Sequence, residues 1–66
     1  MANYYVNNNA QPTGEHEVHH EDCRFLPTQR THLGYFASCN QAMTAAIRFY
    51  RNVDGCKFCS PACHTR

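Results

Sequence analysis

Five cysteines and five histidines in a chain of 66 residues are the groups with chemistry to offer. The densest cluster is Cys56-Lys57-Phe58-Cys59. Two thiolates at this spacing lie on one tight turn and grip a tetrahedral ion from the same side. Gly55, just before the pair, gives the backbone freedom to make that turn. A structural zinc site takes four ligands, so two more must come from elsewhere. Cys23 is the natural third, because a C-x-x-C pair usually meets a distant second pair. The fourth stays open. His19 and His20 stand four and three residues before Cys23; Cys63 stands four residues after Cys59, with His64 next to it. Strand alternation puts His19 and His20 on opposite faces and does not choose between them.

Other uses of the thiols compete with metal. Cys23, Cys56, Cys59 and Cys63 could pair as a disulfide framework in any of three ways, giving an extracellular miniprotein. The odd cysteine count leaves one thiol over in any fully paired scheme, which favours metal. A redox dithiol normally sits where a strand leads into a long helix, and the short tail after Cys59 offers none. Cys39 falls on an apolar helix face and reads as a small core hydrophobe. His16 and His32 read as solvated loop or strand-edge residues. Glu15, Glu17, Glu21 and Asp22 read as a solvated acidic patch. Tyr4, Tyr5, Phe25, Phe36 and Phe58 read as core.

Size explains why a staple is needed. A chain this short buries only ~60% of the surface that its unfolded form exposes. Small scaffolds add a disulfide, a metal or a partner. The composition is consistent with a single small metal-binding domain spanning 1–66. Net charge is +1, with six basic residues scattered among five acids. Nucleic-acid domains usually show a basic face, so a nucleic-acid partner is weakly supported and a protein partner is preferred. No apolar run approaches the ~20 residues of a membrane span. The first residues lack the basic and apolar regions of a leader, and a reducing, cytoplasmic setting is expected.

The elements that must position these residues are short. Tyr4-Tyr5-Val6 is β-prone, and Asn7 to Gly14 is a turn or loop. Glu15 to His20 alternates as a second strand. Pro27 to Thr31 is a polar loop, and Leu33 to Phe36 is a third strand candidate. A helix runs from Cys39 to about Arg51, with Ser38 as N-cap and Gln41 completing a capping box. Cys39, Ala42, Met43, Ala46, Ile47, Phe49 and Tyr50 share its apolar face. Asn52 and Gly55 stop it, and Ser60-Pro61 opens a short C-terminal turn. The expected class is α+β: a small zinc-stabilised domain with a two- or three-stranded antiparallel sheet packed on one main helix. A C-terminal metal knuckle completes it.

His19-x-x-x-Cys23, Phe36-x-Ser38 entering an alanine-containing helix, and Gly55-Cys56-x-x-Cys59 together carry a resemblance. The pattern is similar to the Ada-type zinc-binding module of methylphosphotriester DNA-repair proteins. That module also occurs as a small appended domain in many bacterial proteins of unrelated function. The resemblance covers about Val18 to Cys59. It implies one zinc ion held by His19, Cys23, Cys56 and Cys59, and, in the repair proteins, a zinc thiolate that accepts a methyl group from DNA. The extra Cys39, the Cys63-His64 tail and the lack of a basic surface depart from the family pattern.

Overall fold

Tyr4-Tyr5-Val6 lies in a strand that extends over Ala2–Asn7 (β1) in the computed structural model, which describes residues 1–65. Ala2, Tyr4 and Val6 are buried and the residues between them are half-exposed. This is the alternation of a strand covered more heavily on one face. β2 (His16–His20) pairs antiparallel with β1, setting Val18 against Val6 and His20 against Tyr4. β3 (Arg30–Phe36) pairs antiparallel with the opposite side of β1. It begins inside the segment expected to be loop. Its register slips by one residue: Tyr4 faces Gly34, but Tyr5 faces His32, leaving Leu33 as an inserted residue. Gly34 takes φ 145° at this bulge, and a Cβ there would stand 2.6 Å from the Phe36 ring.

The sheet has a fourth strand, β4 (Val53–Gly55), and the order β3-β1-β2-β4. β4 runs parallel to β2. The α+β class holds, while the sheet is mixed rather than antiparallel. Three residues including Asp and Gly carry no strand periodicity, so β4 was hidden behind a helix-stop signal.

The helix α1 occupies Cys39–Ala46 and ends well before Arg51. Ser38 takes the extended N-cap conformation, but its hydroxyl makes no capping bond. Gln41 Oε1 instead accepts the Ala37 N–H at 2.9 Å. At the other end the N–H groups of Phe49 and Tyr50 both turn back to the Ala46 carbonyl. Ile47 and Phe49 are 59% and 54% exposed, so they leave the apolar face assigned to them. β-Branched and aromatic residues are weak helix formers, and Tyr50 gains more outside the helix. Its ring stacks on His16 with centroids 3.6 Å apart, and its hydroxyl donates to Asn8 Oδ1 at 3.1 Å.

The core is thin. Ala2, Tyr4, Val6, Val18, Ala42 and Ala46 are buried between sheet and helix, flanked by Leu33, Phe36, Met43, Tyr50 and Val53. Cys39 belongs to this cluster but is not a free thiol. It is bonded to Cys63, on the 3₁₀ turn Pro61–Cys63. That pairing lies outside the three considered above. Tyr4 and Phe36 join the core as expected; Tyr5, Phe25 and Phe58 do not. Tyr5 lies under the Arg30 guanidinium, 4.9 Å from its ring centre. Phe25 and Phe58 are more than half exposed and rest on each other at 4.7 Å. Glu15, expected at the surface, is buried beside the Thr13 hydroxyl.

Gly55 serves close approach rather than an unusual φ. A Cβ there would lie 2.6 Å from Cys63 Cβ, 2.7 Å from the Cys63 carbonyl carbon and 2.8 Å from the Ser60 carbonyl oxygen. Two of these atoms are backbone, so the 3₁₀ turn would have to move off β4. Overpacking of this kind costs about 1–3 kcal/mol. Gly55→Ala is expected to lower the thermal midpoint accordingly. An unchanged midpoint would show that the turn gives way freely.

Candidate metal centre

The sheet register brings the first two donors together. Gly55 pairs with Val18, and the Cys56 N–H donates to the Val18 carbonyl at 2.9 Å. One step further along both strands, Cys56 comes beside His19. Val18 points into the core with α1, so alternation turns His19 to the opposite face of the sheet. His19 and the helix therefore lie on opposite sides of β2.

One tight turn returns Cys23 to this face, and a second turn follows it. Its N–H donates to the His20 carbonyl at 3.0 Å, and the Leu26 N–H donates to the Cys23 carbonyl at 3.1 Å. The segment 21–29 joins parallel strands β2 and β3 by travelling the length of β1. The Glu21 N–H meets the Asn3 carbonyl at one end, and the Asn8 N–H meets the Gln29 carbonyl at the other. The knuckle closes when the Ser60 N–H donates to the Cys56 carbonyl at 2.9 Å. The His20 N–H donates to Cys59 Sγ at 3.3 Å.

The donor atoms of His19, Cys23, Cys56 and Cys59 all lie within 4.8 Å of one another. Cys23 Sγ and Cys56 Sγ are 3.8 Å apart, and Cys59 Sγ is 3.8 Å from His19 Nδ1. A tetrahedron built on Zn–S bonds of ~2.3 Å has edges of about 3.8 Å. A disulfide requires ~2.05 Å. The spacing therefore fits a shared ion and not a bond between the sulfurs. His19, Cys23 and Cys56 are buried; Cys59 is half-buried. Three sulfurs and one imidazole nitrogen are the donor set of a closed structural zinc site.

The other contenders for the fourth position are engaged elsewhere. His20 turns its ring edge-on to Tyr4, and its Nδ1 accepts the Asp22 N–H at 3.0 Å. Cys63 is in the disulfide. His64 Nδ1 sits 3.0 Å from the Gly55 carbonyl and 3.5 Å from Asp54. His16 and His32 also stay out of the cluster; His32 reaches Asn3 Oδ1 at 2.9 Å. Two acids that belong to no motif also take defined positions. Asp54 is buried and accepts both the N–H and the hydroxyl of Thr65, at 2.9 and 3.0 Å. Glu17 stands 3.6 Å from His19 Nε2. Strand alternation, which sets Glu17 and His19 on one face of β2, was the available signal for the second.

Burial pushes the Cys59 thiol up to about 12; Cys23 and Cys56 add to the rise, and the His20 N–H opposes it. Burial also lowers the His19 imidazole below its ordinary value. Both shifts favour the neutral forms of His19 and Cys59 near pH 7. Glu17 is raised, first by burial, with His64 opposing and Asp54 and Glu15 reinforcing.

No family model, curated protein or solved structure matches this chain. The class defined by fold and site is thus a small α+β domain with a His/Cys₃ cluster at metal-binding distance. Among the described residues no helix is long and apolar enough to cross a membrane.

Proposed function

We propose that His19, Cys23, Cys56 and Cys59 hold one zinc ion that fixes the fold, and that the folded module serves as a small interaction domain for a protein partner. The observation that carries this reading is the convergence of three thiols and one imidazole, their donor atoms within 4.8 Å of one another, from three separate segments. Thiolate-rich tetrahedral sites select zinc over the hard cations. The ligands are mostly buried, which suits a fastener better than a reactive centre. Kinship with the bacterial Ada-type modules is part of the proposal and rests on the same four positions. A methyl-accepting role like that of the repair domain would fall to Cys59, which is half-buried where Cys23 and Cys56 are buried. Three thiols kept for a metal favour a cytoplasmic setting, while the Cys39–Cys63 bridge favours an oxidising one.

Native mass spectrometry with and without a chelator tests the proposal. One zinc per chain is expected, lost on chelation, in a protein two hydrogens lighter than its fully reduced form. Absence of bound metal from protein prepared with zinc present would sink it.

A further inference from the structure

We propose that Glu17 is the outer partner of the metal-bound imidazole: its carboxylate accepts the Nε2–H of His19 and fixes that ring for the metal. The inference rests on the metal reading above and adds a residue that lies outside the ligand set.

The two ring nitrogens of His19 face different surroundings. Nδ1 is the atom 3.8 Å from Cys59 Sγ, so it is the nitrogen turned toward the cluster. Nε2 is buried and has no hydrogen-bond partner among the described residues. A neutral imidazole that ligates through Nδ1 must carry its proton on Nε2. A buried N–H left without an acceptor is costly, so this proton needs a home. The near acceptor is Glu17 Oε1, at 3.6 Å. That is just beyond hydrogen-bond range.

The backbone and side chain of Glu17 differ in their freedom. Its backbone is fixed, because β2 pairs on both sides and Glu17 lies opposite Asp54 in the parallel ladder. Its side chain is only half-buried and borders an open cleft of about 360 Å³ together with His19, Cys56 and Lys57. The carboxylate therefore has room to close the remaining gap by rotating about its own side-chain bonds. His19 and Glu17 are two residues apart on one strand, so no other element has to move. Metal-ligating histidines generally donate their second N–H in this way, which sets the tautomer and raises the basicity of the ligand.

The test compares the full chain with Glu17→Ala, Glu17→Gln and, as a charge control, Asp22→Ala at an exposed site. Cobalt(II) serves as the optical probe, with zinc affinity measured by competition. The His19 ring is followed by nitrogen-15 NMR in the zinc-loaded protein. Glu17→Ala is expected to weaken metal binding 10–100-fold and to shift or broaden the His19 Nε2–H signal. Glu17→Gln keeps an acceptor oxygen and is expected to recover most of the affinity. Asp22→Ala is expected to bind as the parent does. Parent-like affinity in Glu17→Ala, equal losses in Asp22→Ala, or a ring that ligates through Nε2 would each overturn the assignment. A parent chain showing no thiolate-to-cobalt band would overturn the metal reading itself, which separates the two failures.

Discussion

Stripping the metal with a strong chelator is expected to unfold this chain at 25 °C, and restoring zinc is expected to refold it. The reason lies in how little else holds the non-helix face. The core contributes mostly Ala and Val side chains with Tyr4, and Phe25 and Phe58 are outside it. The crossover 21–29 carries Cys23 and has its backbone hydrogen bonds to β1 only at its two ends. Structural zinc contributes an apparent ~10–16 kcal/mol to folding in small zinc modules. Whole domains are stable by only about 5–15 kcal/mol. Cys56→Ser, which removes one buried ligand, should therefore behave much like chelation. Far-UV circular dichroism and amide NMR spectra read the outcome. A dispersed spectrum that survives chelation would show that the sheet, helix and disulfide suffice.

The same prediction has a pH sign. The thiols must lose protons to bind, and the free Cys59 thiol sits near 12. Metal binding thus releases protons, and affinity falls as pH falls. His19 acts in the same direction: its folded value is depressed, so its contribution is complete above the unfolded value of 6.5 and is lost as pH falls below it. The unfolding midpoint of the zinc-loaded protein is therefore expected to fall as pH is lowered from about 9 to about 5; a midpoint that stays level across that range would show that folding is not tied to deprotonated ligands.

Removing the disulfide is expected to weaken the fold without altering the metal site. Cys39 and Cys63 are 24 residues apart, and a loop of this length restrains the unfolded chain by about 3 kcal/mol. The bridge joins the start of α1 to the C-terminal 3₁₀ turn, and none of the four proposed ligands lies on either element. Cys39→Ala/Cys63→Ala in denaturant, with metal bound, should lose about that much stability while the cobalt spectrum stays that of the parent. Simple reduction provides the sharper comparison, since it leaves a free Cys63 thiol four residues after Cys59. A changed cobalt spectrum on reduction alone would mean that Cys63 competes for the ion.

Several features could be read directly from residue order. Cys56-x-x-Cys59 fixes two donors by local geometry alone, since both lie on one turn. Ser38 marks the true helix start, the β-prone run Tyr4-Tyr5-Val6 marks β1 and alternation marks β2, because these signals depend on neighbours within a few residues. The α+β class follows from those elements. Other features depended on partners far along the chain. Helical periodicity carried the expected apolar face through Tyr50, whereas Tyr50 leaves the helix to stack on His16. Cys39 has the same apolar-face signature whether it is a free core residue or half of a bridge; only the 3₁₀ turn brought against β4 by Gly55 decides.

The Cys56-x-x-Cys59 pair by itself supplies half of a candidate metal site and calls for a second half. Which residues complete it was a matter of register. The short parallel strand Val53–Gly55 sets Cys56 beside His19 rather than His20, because a shift of one residue would exchange the two faces of β2. The same pairing places Cys63 against Gly55, where the sulfur meets Cys39 and not the cluster. Spacing along a chain fixes local turns, but donors 33 residues apart meet only through the sheet, and three residues of β4 made that choice.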